Sequence, residues 1–329
     1  MVSNSSPQFG KQSRELVGSR VAERRVLHRG DGARPKPAAE HRGMVSIFVI
    51  LAGLLSCGSI LRASPNISEV DRFGYFSNAG WVDFRGHQDE GVVASDFCLG
   101  GYAYAANLGW INFGDQDPEN GYEYGNTDGM DFGVNVDQDG GLTGYAYGGN
   151  IGWLLFEQSE GKPRLDFSTG KLRGFVWAPN VGWLNFEDGD VRVTALVRVD
   201  GDGDGISDAW EYRHFGSRNV ANFISDYDHD GQSDLAEYRA GTDPRLAQSR
   251  FRILSQAIDP AAGLASLTFQ SNPGRLYRIY RTDHPVASWS PVSADWSPGD
   301  PGESSSRSFS FPPGSRHFFR VESALPLSP

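Results

Sequence analysis

The stretch YAYAANLGWINF, residues 102–113, decides the reading of the chain's first half, because it recurs. FGYFSNAGWVDF (73–84), YAYGGNIGWLLF (145–156) and FVWAPNVGWLNF (175–186) align with it without a gap. The common form is aromatic–x–(mostly Tyr)–x–x–Asn–x–Gly–Trp–aliphatic–x–Phe. Each copy reads as a β-hairpin with aromatics at i and i+2 of the first strand and a turn through Asn-x-Gly. Asn78, Asn107, Asn150 and Asn180 suit such a turn because Asn tolerates positive φ, and the Gly that follows does so freely. On the second strand, Val82, Ile111, Leu154 and Leu184 share a face with Phe84, Phe113, Phe156 and Phe186, so that face must be core. Trp81, Trp110, Trp153 and Trp183 point the other way. They form either a ladder sealing repeat against repeat, since Trp at a repeated position is usually architecture, or an exposed aromatic platform for sugar rings.

DFGVNVDQDGG (131–141) and RLDFSTGK (164–171) precede the third and fourth copies, each a strand followed by a tight Gly turn. The unit is therefore a three-stranded meander of about 30 residues. Trp spacings of 29, 43 and 30 place an inserted loop at 114–130. No unit can bury its apolar face alone, so the four stack or close on each other; solenoid, barrel and propeller-like blades all satisfy the pattern.

Downstream, two twelve-residue stretches obey one grammar: DGDGDGISDAWE (200–211) and DYDHDGQSDLAE (226–237). Asp200, Asp202, Asp204, Asp208 and Glu211 occupy positions 1, 3, 5, 9 and 12 of the first, and Asp226, Asp228, Asp230, Asp234 and Glu237 those of the second. Gly205 and Gly231 stand at position 6, where the backbone must turn sharply around an ion. Calcium takes six to eight hard oxygens, so alternating carboxylates, the backbone carbonyls of Ile206 and Gln232 at position 7, and a terminal bidentate Glu make a calcium-ligand set. Asp208 with Glu211, and Asp234 with Glu237, can also act as capping boxes. Short helices are expected over 209–215 and 235–240, ended by Gly216 and Gly241, with Pro244 blocking continuation. VRVTALVRV ahead of the first loop alternates like a strand, so the arrangement is loop–helix twice.

Over residues 198–245 this pattern resembles the calcium repeats of dockerins and of thrombospondin type 3 repeats. The resemblance implies calcium bound at the ligand positions just named, in a secreted or surface multidomain protein of bacterial type. Position 8 is Ser207 and Ser233, where paired EF-hands carry an aliphatic bridge. Positions 10 and 11 are Ala209–Trp210 and Leu235–Ala236, not the hydroxyl pair with which dockerins contact cohesin. The thrombospondin-like form is the better match.

Composition agrees with an extracytoplasmic setting. The chain has 329 residues and a net charge of −11, divided as +5 over residues 1–43 and −17 from Ser64 onward. An acidic body excludes a nucleic-acid surface, which needs a basic stripe. MVSIFVILAGLLSCGSIL (44–61) is uncharged and reads as a secretory signal cleaved near Ala63, with a lipoprotein site at Cys57 or an uncleaved anchor as alternatives. A mature protein so processed has no membrane span, and translation from Met44 would leave the basic leader 1–43 unmade. Cys98 then has no internal disulfide partner and is expected buried in a strand. After Pro244 the short runs FRILSQ, ASLTFQS, RLYRIYRT, RSFSF and HFFRVES predict a β-sandwich over 246–329. The organisation is thus mainly β: a repeat domain (64–197), a calcium module (198–245) and the sandwich.

Catalytic signatures are missing: there is no Gly-x-Ser-x-Gly elbow, His-Glu-x-x-His or P-loop. His229, at loop position 4, should face solvent, and His87 beside Asp89 and Glu90 reads as a loop histidine. The sequence therefore points to a non-enzymatic protein with Ca²⁺ as its cofactor. Calcium would stiffen the link between two β-domains. The alternative is a carbohydrate-binding or adhesion module that meets polysaccharide or another surface protein through the Trp/Tyr face.

Overall fold

The computed structural model describes residues 64–86, 90–313 and 316–328. The leader and signal readings, and His87 with Asp89, lie outside the described residues. The protein is mainly β; the described residues include two short helices, and no helix among them is long and apolar enough to cross a membrane.

The four repeats are four hairpins: β1 (Ile67–Phe76) with β2 (Gly80–Asp83), β4 (Cys98–Ala105) with β5 (Gly109–Asn112), β7 (Leu142–Gly148) with β8 (Gly152–Phe156), and β11 (Phe175–Ala178) with β12 (Gly182–Val193). Each also pairs antiparallel with the next, through β2–β4, β5–β7 and β8–β11, and β12 returns to β1. The eight strands thus close into a barrel through the β2–β4 pairing. Between hairpins, β3 (Val92–Ala94) and β6 (Val134–Val136) add to the barrel sheet, whereas β9 (Arg164–Leu165) and β10 (Leu172–Arg173) form a separate two-stranded ladder, bridged to the barrel side at Gly141–Arg164. The three-stranded meander expected of each unit is therefore met only in part.

Size alternation fills the interior. Val82, Ile111, Leu154 and Leu184 lie directly opposite Gly74, Ala103, Ala146 and Val176. All four aliphatics are fully buried. Beyond them the repeat phenylalanines meet edge to face, with centroids 5.4 Å apart for Phe84–Phe113, 5.3 Å for Phe84–Phe186 and 6.0 Å for Phe113–Phe156.

The turns hold the ring together in a way that φ preference does not anticipate. Positive φ belongs to Gly80, Gly109, Gly152 and Gly182, and to none of the repeat Asn residues. The Asn side chains instead reach across to the neighbouring repeat. Asn107 Nδ2 donates to Ala79 O (3.0 Å), Asn150 to Leu108 O (2.9 Å), Asn180 to Ile151 O (2.9 Å), and Asn78 closes the circuit on Val181 O (2.9 Å). A Cβ on Gly182 would stand 3.3 Å from Asn78 Nδ2, so the glycine also clears space for this latch.

Helix α1 (Asp208–Phe215) and helix α2 (Asp234–Ala240) follow. The C-terminal part has two sheets. One comprises β13 (Ile253–Asp259), β14 (Leu264–Gln270) and β18 (Ser304–Ser310). The other comprises β15 (Leu276–Thr282), β16 (Ser290–Pro291), β17 (Ser297–Pro298) and β19 (Phe318–Ala324). Leu267 and Phe269 of the first pack with Tyr277 and Ile279 of the second, as in a sandwich.

The last residues do not stay with these sheets. Leu327 packs on the barrel core and its carbonyl accepts from Leu196 N (2.9 Å), while Arg198 donates to Pro326 O. The tail thereby straps the sandwich to the barrel.

Candidate functional site

The two acidic loops fold on one wiring diagram. Asp200 accepts from the amides of Gly203, Asp204 and Gly205, and Asp226 from those of Asp230 and Gly231. Asp204 accepts from Ile206 N, and Asp230 from Gln232 N, at 2.8 Å each. The position-1 and position-5 carboxylates thereby wrap each backbone around a centre before any ion is considered. Left-handed backbone falls at position 4 as well as position 6, at Gly203 (φ 79°) and His229 (φ 62°). His229 is exposed, as expected, but its strained backbone was invisible in the grammar.

Several carboxylates converge. Asp202, Asp204 and Glu211 each bring an oxygen within 4.8 Å of the others, as do Asp200, Asp202 and Asp208, and Asp226, Asp228 and Asp230. Oxygens of Asp204, Glu211, Asp228, Asp230 and Glu237 are buried with no hydrogen-bond partner. An unpaired buried carboxylate oxygen costs several kcal/mol in principle, so a hard divalent cation fits this donor set, and an all-oxygen set favours calcium or magnesium over zinc. Residues at equivalent positions carry these oxygens in both loops: 5 and 12 in each.

The position-9 carboxylates are also hydrogen-bonded within their own loops. Asp208 Oδ1 accepts from Gly201 N (2.8 Å) and its other oxygen faces Arg218 (3.4 Å). Asp234 accepts from Tyr227 N (3.1 Å) and from the Ser225 hydroxyl, so both of its oxygens brace the loop. The helix caps shift. The N-caps are Ser207 and Ser233, one residue earlier than a capping box at Asp208 and Asp234 requires, and Ser233 accepts from Ala236 N. Gly216 and Gly241 end the helices in left-handed conformation, as the sequence predicts.

Glu211 and Glu237 are fully buried. Burial, reinforced for Glu211 by Asp204 and Asp202, pushes its carboxyl up to about 8. Burial does the same for Glu237, to about 8, although the Thr242 hydroxyl donates to its Oε1 (3.0 Å) and pulls the other way. Between the ordinary glutamate range and about 8, both groups hold protons in the metal-free fold that they would lose on unfolding. In chelator, the melting temperature is therefore expected to be highest near pH 5 and to fall as pH rises through 8. With calcium the slope should reverse, because protons then compete with the ion. Parallel thermal melts from pH 5 to 9 check the sign, and parallel slopes would contradict it.

Sequence reasoning missed what binds the loops to their surroundings. Ile206 packs with Trp210, Ala221 and Tyr238, so the apolar bridge absent at position 8 is supplied by position 7. Ala209 packs against Phe97, Cys98 and Tyr124 of the barrel side. Gln232 exchanges two hydrogen bonds with Phe251 (2.8 and 3.1 Å), and Arg250 donates to Asp230 O (3.0 Å). At the end of α2, Arg275 donates to Tyr238 O, Tyr277 to Ala240 O (2.9 Å) and Asn272 to Gly241 O (3.2 Å). These partners are far apart in sequence and have no motif.

The repeat tryptophans are not a ladder between repeats. Each lies opposite an aromatic of its own hairpin, with centroids 5.0 Å apart for Tyr75–Trp81 and 4.9 Å for Tyr104–Trp110, Tyr147–Trp153 and Trp177–Trp183. All four stay on the outside, 60% exposed at Trp81, 42% at Trp110, 43% at Trp153 and 39% at Trp183. Closure of the barrel explains this: its inner space is taken by the aliphatic and Phe set. Cys98 is fully buried in β4, and burial pushes its thiol up to about 12, which removes nucleophilic character at neutral pH.

Comparison of the chain with protein-family models, curated proteins and solved structures gives no match in any of the three.

Proposed function

We propose that residues 198–245 bind two calcium ions in a thrombospondin-like pair of loops, and that the protein is a secreted or surface-attached, non-enzymatic scaffold. The observation that carries this reading is the coincidence of the twelve-position grammar with buried, unpartnered carboxylate oxygens at positions 5 and 12 of both loops. Calcium would neutralise each cluster and fix the second loop, which is hydrogen-bonded to the start of the sandwich through Gln232 and Asp230. The helix leaving the first loop rests on the barrel side through Ala209. Ion binding therefore stiffens the link between two β-structures. Calorimetric titration of the full chain with Ca²⁺ is expected to give two sites, in the extracellular range of about 10⁻⁴–10⁻³ M. Glu211→Gln and Glu237→Gln should each remove one. A flat titration at several millimolar overturns the reading.

The exposure of Trp81, Trp110, Trp153 and Trp183 supports a second reading, a carbohydrate or adhesion surface on the barrel. A saturable change in tryptophan fluorescence with plant, algal or bacterial polysaccharides supports it, and silence across all three argues for scaffold alone.

A further inference from the structure

We propose that the cleft where barrel, helical segment and sandwich meet binds a neutral, polyhydroxylated ligand of one or two sugar units, and that the second acidic loop controls it through Thr242. The control half of this proposal rests on the calcium reading above; the cleft itself does not.

The cleft has a volume of about 410 Å³. That lies within the range of about 300–1,000 Å³ found for small-molecule sites, which favour such junctions. Its wall takes Gln138 from the turn after β6, Thr242 and Asp243 from the turn after α2, Gln270 from the end of β14, and Gln248 and Glu303 from loops. The side chains of Gln138, Gln248, Gln270 and Glu303 make no hydrogen bond to another described residue. Each primary amide offers two donors and two lone pairs, and the carboxylate accepts, which is the mixed set that adjacent hydroxyls require. Among the described residues no Lys or Arg lines the cleft, and burial holds the His214 imidazole in its neutral form. With Asp243 and Glu303 in the wall, an anionic ligand is repelled and a neutral one is not. Leu246, half exposed at the rim, supplies apolar contact for a sugar's C–H face.

Thr242 links this wall to the second loop. It is buried, its hydroxyl donates to Glu237 Oε1 (3.0 Å), and its amide donates to Glu237 O (3.2 Å). The adjacent Gly241 carbonyl accepts from Asn272, which also lines the cleft. Any movement of Glu237 toward an ion is thus carried into one side of the site.

The test is saturation-transfer NMR on the full chain with cellobiose and N-acetylglucosamine as neutral probes and glucuronate as the charged counterpart, in calcium and in chelator. Transfer to a neutral probe in calcium is expected, with none to glucuronate. A drop of at least fivefold is expected in chelator and in a Gln270→Ala/Glu303→Ala variant whose melting temperature is unchanged. Absence of transfer to both neutral probes overturns the site, and so does transfer that survives in the variant. Equal transfer in calcium and chelator, with calcium heat still measured, overturns the control by Thr242. Transfer without any calcium heat would sink the calcium reading and leave the cleft standing.

Discussion

Adding calcium to chelator-treated protein at neutral pH is expected to raise its melting temperature by roughly 6–11 °C. Each site at tenfold excess over its dissociation constant contributes about 1.4 kcal/mol, and a protein of this size gains roughly 2–4 °C per kcal/mol. The physical source is the pair of fully buried glutamates, Glu211 and Glu237, whose unpartnered oxygens an ion would satisfy as it displaces their protons. Replacement by Gln gives the sharper test because its sign depends on the ion. In chelator above pH 8, Glu211→Gln should melt no lower than the parent, since a neutral amide replaces an unpaired charge. In calcium it should lose the increment of one site. A variant that destabilises equally in both conditions would assign Glu211 a packing role only.

Phe84→Ala is expected to be the most damaging single change in the barrel, at about 3–5 kcal/mol. Its ring is fully buried and meets both Phe113 and Phe186, so removal leaves a cavity that two neighbouring hairpins border. Trp81→Ala, at the same hairpin, removes an exposed ring whose cross-strand partner is Tyr75, and should cost about 0.5–1.5 kcal/mol. Urea unfolding of the two variants measures the difference. Equal costs would mean that the outer aromatic face is as structural as the inner one, which would also weaken any surface-binding role for the tryptophans.

Hairpins, inward faces and helix ends were legible because they depend on residues close in sequence. Period-two alternation assigns Val82 and Phe84 to one face whatever the sheet does next. Gly216 and Gly241 end helices because backbone sterics act locally. The caps show the limit of that logic: Asp208 with Glu211 satisfies a capping pattern, yet Ser207 takes the N-cap, since the Asp208 carboxylate is drawn back to Gly201 N.

By itself, then, the sequence determined four hairpins, a mainly β chain and two acidic loops of fixed ligand order. Tertiary structure alone decided that the hairpins close, because closure depends on β12 pairing with β1 and on Asn78 reaching Val181, more than a hundred residues away. It also decided which oxygens lose water, that the tryptophans stay outside, and that Thr242 and the sandwich are tied to the second loop. Hydrogen-bond partners and burial are set by where distant segments meet, and residue order constrains that meeting only through the complete fold.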